Sequence, residues 1–434
     1  MIKQAFKRLW NDKRGNVIVI AGAALPLIVG SAGLATDTIQ WTLWKRQLQR
    51  AADSAALAGV YDRLSSSGSN ATVAATVAHD LALNLHTTVA IKSGYPVVSF
   101  PADSGSMVNQ VKVTLAVQQP LTFSSMFLTA APLIVANATA AGVPGSGEYC
   151  VVSLENNASK AGITIGGNAK LDMNCGMISN SPASNSALAN GTSSSVKATV
   201  MAAVGGVQAS NKWTIDSYEP YSSPLTDPFA SLPVPTPSSC GGFPSANDLD
   251  FTSNPNHAAG QVVCYSSEMK IQGDVKLGAA TYVLDAASIK MTSTSAKLSC
   301  DGCTIILTSS TAATNPSSIG TVSLSGGNLN LKAPTSGTYS GIAIYQDRRA
   351  LDSAGSNSIN GNSGSIVQGA LYFPSQELTY NGEGSTTATC TQFVARRVVF
   401  AGNNTTSNKF EKGSNCGLMG MGTLAAGRRA RLVA

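Results

Sequence analysis

From Asn16 to Thr36 the chain runs without a single charge, most of its residues apolar, and Asp37 ends the run. About 20 such residues in a helix cross the hydrocarbon core of a bilayer. A secretory signal core is shorter, roughly 7–15 residues, and closes on a small-x-small cleavage site. Ser31-Ala-Gly33 and Gly33-Leu-Ala35 loosely fit such a site, but the run is too long and helical patterning continues through it. The expectation is a transmembrane helix over 16–36. Pro26 at mid-run is a kink that a membrane helix tolerates. Gly22, Gly30 and Gly33 give one face small enough for close helix contact. Lys3, Lys7, Arg8, Lys13 and Arg14 precede the run against Asp12 alone, so the flank 1–15 is expected in the cytoplasm. Trp41 and Trp44 then fall where an outer interfacial belt would lie.

Beyond Asp37, Ile39, Leu43, Leu48, Ala52, Ala55, Ala56 and Val60 recur at helical spacing. One long helix is expected, embedded at its start and amphipathic after it. Ser65 to Asn70 breaks it, and Ala71 to Leu85 forms a second helical stripe. Val97–Phe100, the alternating run Val111–Val117 and Leu133–Ala140 read as strands, with a short helical turn in Pro120–Leu128. A long helix followed by a small antiparallel sheet is a pilin-like α+β plan, placed at 37–145.

Four clusters in this region carry a resemblance. They are Arg14-Gly15-Asn16-Val17, Ala24-Leu-Pro26, Gly33-Leu-Ala-Thr-Asp37, and Arg46 to Gly59 with Gln47, Leu48, Ala51, Ala52 and Asp53 in it. Together they resemble the N-terminal segment of TadG-like proteins of bacterial tight-adherence (Flp) pilus assembly systems. The resemblance implies a single-pass inner-membrane protein whose partners are related pseudopilin-like Tad proteins and the pilus machinery. Related prepilins carry a Gly cleavage site with a Glu five positions on. Counted from Gly15, that position holds Ile20, and no carboxylate occurs between Gly15 and Asp37. No prepilin-type processing is expected.

Charged residues are only 12%, against 41 glycines, a composition suited to exported β-rich chains. The net charge of +6 is modest and no basic patch is interleaved with aromatics, which gives no sign of nucleic-acid binding. All eight cysteines follow the apolar run, and an even count in an exported chain suggests disulfides. Eight cysteines allow about 105 pairings. The near-equal intervals from 150 to 175, 240 to 264 and 390 to 416 favour Cys150–Cys175, Cys240–Cys264 and Cys390–Cys416, leaving Cys300–Cys303.

After Pro144-Gly-Ser-Gly147 the texture changes to short apolar-alternating runs closed by Gly and Asn, such as Ile163–Asn168, Lys270–Asp274, Ile359–Asn362 and Phe400–Asn403. Glycines 361, 382 and 402 are 21 and 20 apart. A repeat of about 20 residues points to a β-solenoid, with a β-sandwich as its rival. The expected pieces are 146–217 and 248–434, joined by a proline-rich segment at 218–247. Cys150–Leu154, Asp227–Pro233, Ala333–Gly337, Ile344–Arg348, Gly369–Pro374 and Cys390–Gln392 resemble the C-terminal region of the same TadG-like proteins.

Little in the chain calls for chemistry. Asp103-Ser-Gly-Ser-Met107 is one residue short of a metal-adhesion motif and is read as a turn. Asp347-Arg348-Arg349 with Asp352 is read as a surface ion-pair region, since adjacent residues on a strand face opposite ways. His79, His86 and His257 are scattered. No catalytic, cofactor or metal residue is assigned and no small-molecule substrate is expected. The reading is a membrane-anchored, non-enzymatic component of a Flp pilus system. The alternatives are a surface carbohydrate-binding or carbohydrate-cleaving β-helix, and an adhesin released from its anchor.

Overall fold

The computed structural model describes residues 16–86, 89–145, 148–291, 293–361, 365–382, 390–402, 405–408, 416 and 428–433. Two compact units emerge. One holds residues up to Val143 together with Arg429–Ala434, the other Pro144–Arg428.

The first unit is built on α1 (Asn16–Ser65), a single helix of 50 residues with Pro26 inside it. At 1.5 Å per residue it is about 75 Å long. It is the one helix among the described residues long and apolar enough to cross a membrane. Ile20, Leu25, Leu27, Ile28, Val29 and Leu34 are all exposed on it. The hydroxyls of Ser31, Thr36, Thr38 and Thr42 bond back to carbonyls three or four residues earlier. That satisfies these donors within the helix itself, leaving none of them free on its surface.

From Trp44 onward α1 becomes a packing element. Trp44, Leu48, Ala51, Ala52, Ala55, Ala56 and Val60 form one core with Val73, Val77 and Leu81 of α2 (Val73–Asn84). The sheet beneath runs β1 (Val97–Ser99), β2 (Val108–Val117), β3 (Ile134–Pro144), then the tail strand Arg428–Leu432. β1, β2 and β3 pair antiparallel. Val111, Val113 and Leu115 of β2, and Ala136, Ala138 and Ala140 of β3, turn to the helices. Small residues on both sides bring helix and sheet close. Two expectations change here. Trp44 belongs to this core rather than to an interfacial belt, and Ile39 and Leu43 lie outside it, 62% and 47% exposed. The tail strand also departs from its assignment to the last piece, 248–434. The Val433 amide donates to the Thr139 carbonyl at 2.9 Å, because β3 otherwise offers an unpaired edge.

In the second unit the main ladders are parallel stacks, not a barrel of neighbours. One runs Val262–Tyr265, Thr281–Asp285, Thr304–Thr308, Ile342–Gln346, Ile366–Gly382, Thr391–Phe400, Tyr149–Ser153, Gly176–Ser179, Ser195–Ala203 and Trp213–Pro220. Nine steps at 4.7–4.9 Å make it about 43 Å tall. A second stack joins Leu249–Asp250, Asp274–Leu277, Lys297–Asp301 and Asn328–Lys332 to Ile366–Gly382. A third joins Met269–Ile271, Ile289–Met291, Val322–Ser325 and Asn357–Gly361 to that same long strand. The chain order is inverted at one step. Thr391–Phe400, late in sequence, stacks directly under Tyr149–Ser153, which comes first.

Buried parallel strands are apolar on both faces. The inward column of the tall stack includes Ile305, Ile344, Leu371, Phe393, Val151 and Met177. The outward column includes Ile306, Tyr345, Tyr372, Val394, Val152 and Ile178, and is equally buried. The proline-rich segment covers it. Leu225, Phe229, Leu232 and Val234 pack on the column. The Asn180 side chain pairs with the backbone of Leu225, Tyr372 donates to Asp227 at 2.6 Å, and Arg348 donates to the carbonyls of Phe229 and Leu232. The segment thus returns the chain along the stack, and the Cys240–Cys264 disulfide ties down its far end.

Candidate functional site

Arg14 and Gly15 lie outside the described residues, and Asn16 opens α1. The remaining N-terminal motif residues fall into two contact sets, both within the first unit.

The first set is Gly33 and Asp37, one helical turn apart on one face of α1. The turn at 121–128 seats on them. A methyl group at Gly33 would lie 2.3 Å from the Phe123 ring, so only glycine admits that ring. The Asp37 carboxylate accepts the Phe123 amide at 3.0 Å and both the amide and the hydroxyl of Ser124 at 2.5 Å. It caps the short 3-10 turn Ser124–Met126 from across the fold. Gly33 is therefore occupied within its own chain rather than free for a neighbouring helix. Gly22 and Gly30 face open space.

The second set is the run from Gln47 to Gly59. Leu48, Ala51 and Ala52 are fully covered by the sheet. Gln49 ties the helix down, donating to Asp53 at 2.8 Å and to the Asn137 carbonyl at 2.9 Å. The Gln47 side-chain oxygen is buried without a partner. A methyl at Gly59 would meet Val111 at 2.9 Å and Val73 at 3.1 Å. Gly59→Leu should therefore destabilise this unit by about 1–3 kcal/mol through overpacking. A thermal melt of the detergent-solubilised protein that matches wild type would refute this.

The eight cysteines pair as Cys150–Cys175, Cys240–Cys264, Cys300–Cys303 and Cys390–Cys416. Cys300 and Cys303 are both buried. Asp103-Ser-Gly-Ser-Met107 is a tight turn: Ser104 bridges Met107, and Asp103 accepts the Asn109 amide at 2.9 Å.

Asp352, read with Asp347-Arg348-Arg349 in the sequence, belongs instead to a charged cluster whose other members went unread. In the second unit Glu155, Asp352 and Glu377 converge on Arg397, with contacts of 2.8, 2.6 and 3.0 Å. Arg396 adds a second pair to Glu155 at 3.2 Å, and Lys160 reaches Asp352 at 3.3 Å. Three converging carboxylates invite comparison with a glycosidase centre, but the chemistry does not fit. Burial pushes Glu155 up, yet hydrogen bonds from Arg397, Arg396 and the Asn157 amide leave its pKa lowered. Asp352 is lowered chiefly by Arg397. A general acid needs a raised pKa. Paired, depressed carboxylates hold structure. No spacing signalled the cluster, since its members come from four separate stretches of sequence.

The run Asp347-Arg348-Arg349 is not one surface patch either. Asp347 is fully buried, bound by Arg349 at 2.6 Å and by the Thr308 hydroxyl at 2.7 Å, while Arg348 turns to the proline-rich segment. Among the described residues no group of three His, Cys, Asp or Glu side chains is placed to hold a metal ion.

Residues 15–63 match the family described as Putative Flp pilus-assembly TadE/G-like. No curated protein and no solved structure matches the chain. The matched span ends two residues short of the end of α1 and contains both contact sets of the helix. The family segment is thus a long apolar helix, a candidate membrane span, together with the surface on which its own domain folds.

Proposed function

We propose that this protein is a membrane-anchored, non-catalytic component of a bacterial Flp (tight-adherence) pilus assembly system with a pseudopilin-like role. The observation that carries the reading is the family match over 15–63, coincident with one continuous helix that is apolar and exposed in its first half and packed in its second. The basic flank 1–15 favours a cytoplasmic N-terminus and an extracytoplasmic remainder, in the periplasm for an inner-membrane protein. Four disulfides suit that compartment.

Its action is mechanical. Gly22 and Gly30 leave α1 open to lateral packing with related single-helix Tad proteins. The parallel stacks of the second unit are best understood as faces of a β-solenoid, a stiff element offering a long surface to pilus components. The pairing of most strands with the third strand on supports that reading.

Intact mass spectrometry of the protein recovered from its native membrane tests the anchor. The expected result is a chain that retains the residues before Asp37. Loss of the first 15 residues would mean prepilin-type processing, and loss of about 35 would mean signal cleavage; either sinks the permanent anchor. Deleting the gene should abolish or impair Flp piliation while leaving other surface structures intact, and normal piliation would sink the role.

A further inference from the structure

Asp37 ends the uncharged run in the sequence, but not on the surface of the folded chain. Its carboxylate is buried and held by three donors from Phe123 and Ser124. The next charge, Lys45, turns inward to the Val135 carbonyl. Between them Ile39, Trp41 and Leu43 are exposed, and the hydroxyls of Thr38 and Thr42 are satisfied within the helix. The apolar surface of α1 therefore extends from Ile20 to Leu43. From Asn16 to Trp44 that is about 43 Å of helix, the thickness of a bilayer with its headgroup layers rather than of the hydrocarbon alone.

The turn docked at Gly33 and Asp37 sits beside this extended surface. Gln118 to Leu133 contains no charged residue. Met126 is 75% exposed, Phe127 72%, and Leu128 and Leu133 about half. A cavity of 210 Å³ opens in the loop itself, lined by uncharged residues including Pro120, Leu121 and Leu128. An apolar tip of this size in contact with water would be a liability. Here it is pinned to the last turn of the membrane run, where water gives way to lipid.

We propose that the Gln118–Leu133 loop is a second membrane contact, with Met126, Phe127 and Leu128 inserted into the outer boundary of the same bilayer that α1 crosses. The occupant of this surface is lipid. A helix alone is free to rotate and tilt. A wedge fixed to one side of it, through Gly33 and Asp37, sets the rotation and seats the first unit on the membrane surface as an interfacial element. The Asp37 cap makes this compatible with the boundary, because a carboxylate with three donors presents little unsatisfied charge.

The inference rests on α1 being membrane-embedded, and its test separates the two. The described cysteines are all paired, so one introduced cysteine carries a label cleanly. Full-length protein with Phe127→Cys or Met126→Cys, labelled with an environment-sensitive fluorophore, is reconstituted into phosphatidylethanolamine–phosphatidylglycerol vesicles. Leu27→Cys reports the anchor, and Asn70→Cys, beyond the far end of α1, reports water. The expected result is a blue-shifted Phe127 label, quenched by nitroxide lipid and several-fold less sensitive to iodide than the Asn70 label. A lipid-quenched Leu27 label beside an iodide-accessible Phe127 label overturns the wedge and leaves the anchor standing. Iodide access at Leu27 overturns the anchor as well. A Phe127 label shielded from both quenchers means a protein contact, a second copy of the chain included, and also overturns lipid as the occupant.

Discussion

Glu155→Ala should destabilise the C-terminal unit by about 3 kcal/mol, since Arg396 loses its closest carboxylate and Arg397 loses one of its three in a largely buried setting. The Glu155 side chain is fully covered and also accepts the amides of Asn156 and Asn157 at 3.0 Å, so the backbone turn loses its cap at the same time. For a domain of this size the loss corresponds to a fall in melting temperature on the order of 10 °C. The same residue sets a pH dependence. Its folded pKa is depressed, so its contribution is present above the unfolded value, about 4.3, and is lost as pH falls through the folded value. Asp352 acts with the same sign. Wild type should lose stability below about pH 4.3 more steeply than Glu155→Ala. Melts followed by circular dichroism between acid and neutral pH check both statements. A variant with unchanged midpoint at neutral pH would mean that the cluster is solvated and slack.

Gly320→Ala should be as damaging, by about 3 kcal/mol or more. An added methyl would stand 1.9 Å from the Ala287 carbonyl oxygen and 2.4 Å from its carbon, backbone atoms of the adjoining turn of chain. Neither side can retreat easily. The Gly320 carbonyl accepts from Gln346 at 3.0 Å, and the Thr321 amide donates to Ser288 at 3.0 Å. Gly242 is the control: an added methyl there meets only Ser267, at 3.7 Å, and Gly242→Ala should leave the melt unchanged. Equal effects at both positions would show that the stack adjusts its spacing freely.

Glycine also shows how much the sequence disclosed. Its recurrence at a nearly regular interval is visible there, and Gly361 does pair in register with Gly382. The cause of that recurrence is only half legible. Left-handed backbone is the expected reason, and it holds at Gly402. At Gly320 and Gly191 the reason is instead the close approach of the next turn's backbone, a property of the folded stack. The long apolar helix is legible because a gap in charge is a local property. The break after Ser65, the alternation of β2 and the turn before β3 are legible for the same reason. The bond from Asp37 to Ser124 joins residues 87 apart, and the stacking of Thr391–Phe400 on Tyr149–Ser153 joins the two ends of a unit. No periodicity encodes such partners. Trp44 shows the opposite error. Spacing places it in a belt with Trp41, but only Trp44 falls on the face the sheet covers.

The inverted step in the tall stack also dictates an order of events during synthesis. Chains emerge N-terminus first, and their domains fold as they appear. Strands Tyr149–Ser153 and Gly176–Ser179 can pair early, but the lower edge of Tyr149–Ser153 has no partner until Thr391 has been made. Through that interval a flat apolar edge stands open, the kind that templates wrong pairings. The proline-rich segment waits as well, because Tyr345 and Tyr372, on which it lies, come later in the chain. The stretch from Val262 to Gly382 has no such long delay, since each strand of the stack finds its partner within about 20–40 residues of chain. Folding should therefore nucleate in the second piece and capture the first from below, which makes the newly made chain, rather than the finished protein, the species most in need of a chaperone.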